Sequence, residues 1–431
     1  MAPKLVAKDK SPDQQDLYIN RQEALKLLGI KAQTLYSYVS RGWIRSVRKP
    51  GGGKISLYAS EDIEKVKARA KARTGHGVAA SGAMRWGEPI IPTSITEITS
   101  LGPRYRGHSA VELARSGASF EAVADLLWTG LWFEEIQSWR IVPLPSSIPA
   151  ITQSVLAEVK TEGLMEVFTL VTLHLGLSRG TMSDRIRAAS PVEAARQIIQ
   201  SMVGCMGLLG PRRAFTPMIE GESVAVALLR ILEVDPSDEN KQAMEAILVL
   251  LADHELTTST FAARVAASAG ALLHGCMTAA LATNSGIEIG RLYDRVEALL
   301  PARLDAAGLL KNARVYQDRG GTPPGFNHPI YPRGDPRADY LLQLAAARSR
   351  RPARLEHLLG FLSEARKTMQ LYPRVEMGVL ALSAAMRLPP MACGALFTIA
   401  RTSGWVAHVL EQRTAAFLLR PRAKYLMSGQ S

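Results

Sequence analysis

Cysteine is scarce in this 431-residue chain: Cys205, Cys276 and Cys393 are three isolated thiols without CxxC spacing. An odd, scattered set excludes a disulfide scaffold and fits a reducing, cytoplasmic compartment. Aromatic residues make up only 6% of the chain, so Leu, Ala and Val must fill the core, which favours helices. Met1–Ser11 carries Lys4, Lys8, Asp9 and Lys10 without an apolar block, so no secretory signal is read there. The long apolar stretch 261–283 contains Arg264 and His274. It reads as a helix buried in a core or dimer interface, not as a membrane span. The histidines show neither HExxH nor Cys-plus-His spacing, so no metal site is expected. Two further motifs fail on context. Gly51-Gly52-Gly53-Lys54 lacks the first glycine of a phosphate loop and has Ile55 where Ser or Thr would hold magnesium. Gly176-Leu177-Ser178-Arg179-Gly180 matches GxSxG but follows a helical run, the wrong setting for a nucleophile elbow.

What remains is an ordinary globular composition, 47% hydrophobic and 21% charged, with an uneven charge distribution. Residues 1–76 hold 16 basic and 7 acidic side chains, net +9, while the other 355 carry 36 and 32, net +4. A small basic module fused to a nearly neutral body is expected, and nucleic acid is the commonest partner of such a module. Within it, Asn20 and Glu23 form a capping-box pattern before Ala24, Leu25, Leu27 and Leu28, and Gly29 supplies a stop. A second helix is predicted from about Lys31 to Arg41. A glycine-rich basic tip, Arg48 to Lys54, between apolar segments reads as a hairpin, and Ser60-Glu61-Asp62-Ile63 begins a third helix.

The stretch YINRQEALKLLGIKAQTLYSYVSRGWI resembles the MerR and excisionase-like winged helix-turn-helix family over about 50 residues. The resemblance implies a DNA-binding module at 1–66. Gln33, Thr34, Tyr36 and Ser37 would face base edges, and Arg41, Arg45, Arg48, Lys49 and Lys54 the phosphates. The bland alternative is a winged helix used for protein contacts. Residues 67–85, rich in Ala, Gly, Lys and Arg, read as a linker.

Beyond the linker, short strand signals lie near Ile90–Ile91 and Ser94–Ile98. Helical periodicity dominates from about 109, with helices expected at Val111–Leu127, Val155–Leu173, Val224–Leu232, Ala243–Leu251, Phe261–Leu281, Leu355–Met369 and Met391–Leu410. The body is therefore mainly α. Four blocks then carry a second resemblance: LGPRYRGHSAVELARSGASFEAVADLLWTG, LLADHELTTSTFAARVAAS, GGTPPGFNHPIYPRGDPRADY and LFTIARTSGWVAHVLEQRTAAFLLRPRAKY. Together they are similar to the citrate synthase family across about 101–425. The resemblance implies a homodimer with a large domain (86–286 and 376–431) and a small domain (287–375) that closes over substrate. It also implies condensation of oxaloacetate with acetyl-CoA or another acyl-CoA as co-substrate, and no bound cofactor.

Such a reaction needs a base for a weakly acidic methyl group, a donor for the enolate oxygen, a donor for the ketone, and cations for the dicarboxylate. By resemblance, His254, His328, Arg337 and Arg401 bind oxaloacetate, His328 polarises the ketone, and Arg420 reaches in from a partner subunit. Glu376 stands where the family has its Asp base, and Ile289 stands in Gly286–Gly290 where the family has its enolising histidine. Glu288 carries a carboxylate one residue out of phase. Arg319-Gly320-Gly321-Thr322 falls where the family's nucleotide loop lies. Two readings follow: a synthase altered by Ile289 and Glu376, or a dicarboxylate-sensing DNA-binding regulator that has lost the chemistry.

Overall fold

The computed structural model describes residues 18–40, 44, 46–48, 56–60, 62–63, 66, 91–134, 138–159, 163–178, 191–415 and 417–421. The chain divides into two compact units, one ending at Ile91 and taking in the tail from Arg422, the other spanning Pro92–Pro421.

In the first unit, β1 (Tyr18–Ile19) leads into α1 (Arg21–Leu28). The capping box forms: Asn20 accepts from the Glu23 N–H while Glu23 accepts from the Asn20 N–H. Gly29, at φ 62°, ends the helix in the left-handed region that glycine tolerates best. Then come α2 (Ala32–Ser40), β2 (Ser46–Arg48) and β3 (Ser56–Ala59), with antiparallel strands in the order β1-β3-β2. Ala24, Leu35, Ile44, Tyr58, Ile63 and Val66 form its core. On α2, Gln33 and Tyr36 are exposed and Thr34 and Ser37 half-buried. Arg48 closes β2, whereas Arg41, Arg45, Lys49 and Lys54 lie outside the described residues.

The second unit opens with an antiparallel meander, β4 (Thr96–Thr99), β5 (Gly102–Tyr105) and β6 (His108–Ser109). Helices follow: α3 (Ala110–Arg115), α4 (Phe120–Thr129), α5 (Ile148–Val159), α6 (Leu164–Leu177), α7 (Pro191–Cys205), α8 (Val224–Ile231) and α9 (Asp238–Leu251). After these come α10 (Thr258–Ser268), α11 (Leu273–Asn284), α12 (Leu292–Leu299), α13 (Ala306–Asp318) and α14 (Pro336–Ala346). The last three are α15 (Ala353–Met369), α16 (Val375–Met386) and α17 (Ala392–Ala415).

Three expected helices are each two. The 111–127 run breaks at Gly117 (φ 79°), and Ser119 caps the new start by accepting from the Ala122 N–H. The 261–281 run breaks at Gly270 (φ 82°), and 155–173 falls on α5, described to Val159, and α6, which starts at Leu164 after its N-cap Gly163. Apolar spacing continues through these breaks because both halves face one core, so periodicity alone does not reveal them. No described helix is long and apolar enough to cross a membrane. The long helix α17 is buried along most of its length and packs on α4, α9, α10 and α11.

Candidate active site

The candidate site residues lie in the bend after α9 (His254), the loop before α14 (His328), the first turns of α14 and α16 (Arg337, Glu376) and the body of α17 (Arg401). His254 follows α9 in a tight bend where Glu255 takes φ 60°. The bend is fixed beneath by Tyr105, whose hydroxyl donates toward the Val249 and Asp253 carbonyls (3.1 and 3.2 Å). Asp253 is fully buried against His408 of α17 at 3.2 Å. Gly404 makes room there, since a Cβ would fall 2.2 Å from Asp253 Oδ1.

His328 sits on a loop stitched to the segment before α16. Phe326 bridges Pro373, Asn327 exchanges hydrogen bonds with Tyr372, and the Arg374 N–H donates to the Gly325 carbonyl at 2.9 Å. The ring of His328 lies 5.5 Å from that of His254 and 5.0 Å from that of Tyr331, centroid to centroid. Tyr331 also hydrogen-bonds His254 Nε2 at 3.1 Å.

The tautomer of His328 follows from one contact. The Ile330 backbone N–H donates to His328 Nδ1 at 3.1 Å. An N–H can only donate, so Nδ1 is the bare nitrogen and the neutral ring carries its proton on Nε2. Burial, then Arg374 and Arg337, push the His328 pKa down to about 4. Burial and the Arg337 and Arg401 charges hold His254 well below the ordinary imidazole range. Both rings are therefore neutral at physiological pH.

Arg337, in the first turn of α14, is buried and paired with Asp335, Nε to Oδ1 at 3.0 Å and Nη2 to Oδ2 at 2.8 Å. Burial opposes both charges, yet each holds the other ionised. Asp335 also accepts from the Arg337 and Val375 N–H groups, so one carboxylate orients the arginine and anchors the start of α16. The Asp335 fork occupies Nε and Nη2, which leaves Nη1 as the free edge of Arg337. Arg401 of α17 donates Nε to the Leu251 carbonyl at 2.9 Å, leaving both Nη atoms for a ligand. Its guanidinium lies over the Phe397 ring at 4.8 Å.

Glu376 occupies the first turn of α16, buried, with Oε1 taken by Arg374 at 3.1 Å and Oε2 without a hydrogen-bond partner. Sequence reasoning missed Asp335, Arg374 and Tyr331. The signal for Tyr331 and Arg374 was their position, three residues after His328 and two before Glu376.

The 286–290 loop connects α11 to α12. Gly290 is obligatory there, because a Cβ would fall 1.7 Å from the Asn284 carbonyl oxygen. Ile289 is half-buried and offers no polar group. Glu288 is exposed and pairs with Arg295 at 3.1 Å. Arg420 is exposed and makes no hydrogen bond or ion pair with the described pocket residues. Arg319–Thr322 is an exposed turn after α13, with Gly320 at φ 75°. Ser178 caps α6, its hydroxyl donating to the Leu175 carbonyl. No group of residues that could hold a metal occurs among the described residues.

Two neutral imidazoles, the buried arginines Arg337 and Arg401, and the carboxylate of Glu376 supply the donors and the base for an anionic carbonyl compound. The chain belongs to the citrate synthase family: the family model "Citrate synthase, C-terminal domain" matches residues 83–422. Among its relatives, "Putative citrate synthase 2" of Mycobacterium tuberculosis is 29% identical over 339 residues, covering 76% of this chain and 87% of the relative. "2-Methylcitrate synthase" of Shewanella oneidensis is 26% identical over 377 residues, covering 83% and 96%. The citrate synthase of Thermoplasma acidophilum, solved with carboxymethyl coenzyme A and oxaloacetate, matches at TM-score 0.69 and 21% identity. That match covers 81% of this chain and 97% of the other.

Proposed function

We propose that the protein condenses oxaloacetate with acetyl-CoA or another acyl-CoA. Glu376 Oε2 takes a proton from the carbon next to the thioester, and the C–H electron pair becomes the enolate. That carbon bonds to the ketone carbon of oxaloacetate. The ketone π pair moves to oxygen, which is held by the His328 Nε2–H and takes up a proton. Water then cleaves the thioester, adding hydroxyl to the acyl carbon and a proton to the CoA sulfur. His254 and the free edges of Arg337 and Arg401 bind the carboxylates.

The observation that carries this reading is the convergence of His254, His328 and Arg337, with the His328 proton fixed on Nε2 by Ile330. The two relatives described above, both named as synthases, give nothing to the alternative of a regulator without catalysis. The large and small domains at the stated boundaries, the homodimer with Arg420 contributed across it, and a cytoplasmic location belong to this proposal. The exposed Leu170, Leu173 and Leu177 along one face of α6 fit a second copy.

The test is CoA release from purified protein with oxaloacetate and acetyl-, propionyl- or longer acyl-CoA. Release is expected, and Glu376→Gln should lower it by about 10²–10⁴-fold. No release with any acyl-CoA overturns the reading.

For the N-terminal unit, we propose a winged helix-turn-helix that binds DNA. The support is its helix, glycine turn, helix and antiparallel sheet, with Gln33 and Tyr36 exposed on the second helix. Specific, salt-sensitive duplex binding is expected. Binding insensitive to salt or to Arg48→Ala would count against it.

A further inference from the structure

Ile289 leaves the enolate oxygen without a donor from its own loop, so another element must supply one if condensation is to run. One helical turn on, at the start of α12, Tyr293 is 2% exposed and its hydroxyl has no hydrogen-bond partner. A buried, unpaired hydroxyl is a cost that a fold rarely keeps without a use. Its position is tied to the pocket. The Tyr293 ring packs on Phe397 at 5.6 Å, and the same Phe397 carries the Arg401 guanidinium. Helix α12 packs on both α16, which bears Glu376, and α17, which bears Arg401. Burial and the nearby Glu376 charge raise the tyrosine's pKa, which keeps the proton on its oxygen.

Glu376 Oε2 is also buried and without a hydrogen-bond partner, as are Arg374 Nε and several side-chain atoms elsewhere among the described residues. The tyrosine hydroxyl and Glu376 Oε2 are not bonded to each other. A thioester with an adjacent C–H presents the complementary pair: a proton for the carboxylate and a carbonyl oxygen for the hydroxyl.

Resting on the condensation reading, we propose that Tyr293 is a catalytic residue, donating its O–H to the thioester oxygen as Glu376 removes the neighbouring proton. The electron pair released from the C–H bond makes the C=C of the enolate, and the oxygen that gains the charge is the one the tyrosine holds. No further reactant is needed.

The test is Tyr293→Phe, which keeps the ring and deletes only the oxygen. The expected result is a fall in kcat of CoA release by about 10²–10³-fold. The KM for oxaloacetate should stay unchanged, and Tm should stay unchanged or rise because an unpaired buried hydroxyl has gone. Adding Ile289→His to Tyr293→Phe should recover part of the rate by returning a donor to the loop. Unchanged kcat in Tyr293→Phe overturns the proposal. So does a loss of kcat that tracks equal losses in Tm and oxaloacetate affinity, since that marks a structural role. No recovery on adding the histidine also counts against it. A wild-type protein that releases no CoA with any acyl-CoA overturns the condensation reading and the tyrosine's role with it. An active wild type with an equally active Tyr293→Phe overturns the tyrosine alone.

Discussion

Asp335 concentrates more of the site's order than any residue that would touch substrate, so its removal is the sharpest test of the geometry. Its carboxylate accepts from Arg337 Nε and Nη2, from the Arg337 N–H and from the Val375 N–H, and it is fully buried. Asp335→Asn keeps the volume and removes the charge, stranding a guanidinium that is 3% exposed. Breaking one side of a buried pair costs about 3–5 kcal/mol, because the surviving charge stays desolvated without its partner. Replacing both sides with apolar or neutral groups of similar size is far milder. Asp335→Asn should therefore lose about 3–5 kcal/mol in chemical denaturation, and Asp335→Asn with Arg337→Met should regain most of it. Oxaloacetate binding should be lost in both. A single variant costing under about 1 kcal/mol, or a double variant no better than the single, would refute the pair's role as the organiser of α14 and α16.

Two further outcomes test other parts of the body. In Gly290→Ala the new Cβ would meet the Asn284 carbonyl oxygen at 1.7 Å, so backbone must move. A loss of about 1–3 kcal/mol or more is expected by thermal melting, and wild-type stability would show that the loop is placed differently. The buried carboxyls Glu121 and Glu245 accept from the first turns of α8 and α4, through the Val224 and Phe120 N–H groups. Burial, and for Glu245 the neighbouring Glu121, push both upward. A raised carboxyl binds its proton more tightly folded than unfolded. The stability it contributes is full below about 4.5 and falls as pH rises toward about 8. Glu121→Gln with Glu245→Gln should flatten that slope in a stability–pH series, and an unchanged slope would exclude the pair as its source.

The helices of the body were legible because apolar spacing is a local signal, and the first helix of the N-terminal unit because its capping box at Asn20 and Glu23 is one. The breaks at Gly117 and Gly270 were not, since a single left-handed residue interrupts a helix without interrupting the burial of either half. His254, His328, Arg337 and Arg401 could be named from motif register, but not what each is free to do. That depends on Asp335 taking two of the arginine nitrogens and Ile330 fixing an imidazole proton, both matters of three-dimensional hydrogen bonding. Tyr293 was hidden for a similar reason. Nothing in the sequence distinguishes a core tyrosine from one whose hydroxyl is left unpaired.

The neutrality of His328 is the remaining link between charge and chemistry, and Arg374 is the place to probe it. After burial, the Arg374 guanidinium is the leading cause that holds His328 down at about 4. Protonation would place a second N–H on Nδ1, directly opposing the Ile330 N–H that now donates to it. The ring would have to turn, and the Nε2–H donor would lose its aim. Neutral His328 is therefore the form that can serve a ketone oxygen, and activity that depends on it should fall as pH drops through its pKa. Arg374→Gln removes the charge while keeping a polar side chain. The His328 titration followed by NMR should move upward toward the ordinary imidazole range, and the acid limb of the rate profile should move upward with it. A titration that stays at the wild-type position would show that burial alone keeps the ring neutral. An imidazole that rises without moving the rate profile would show that His328 is not the donor to the ketone.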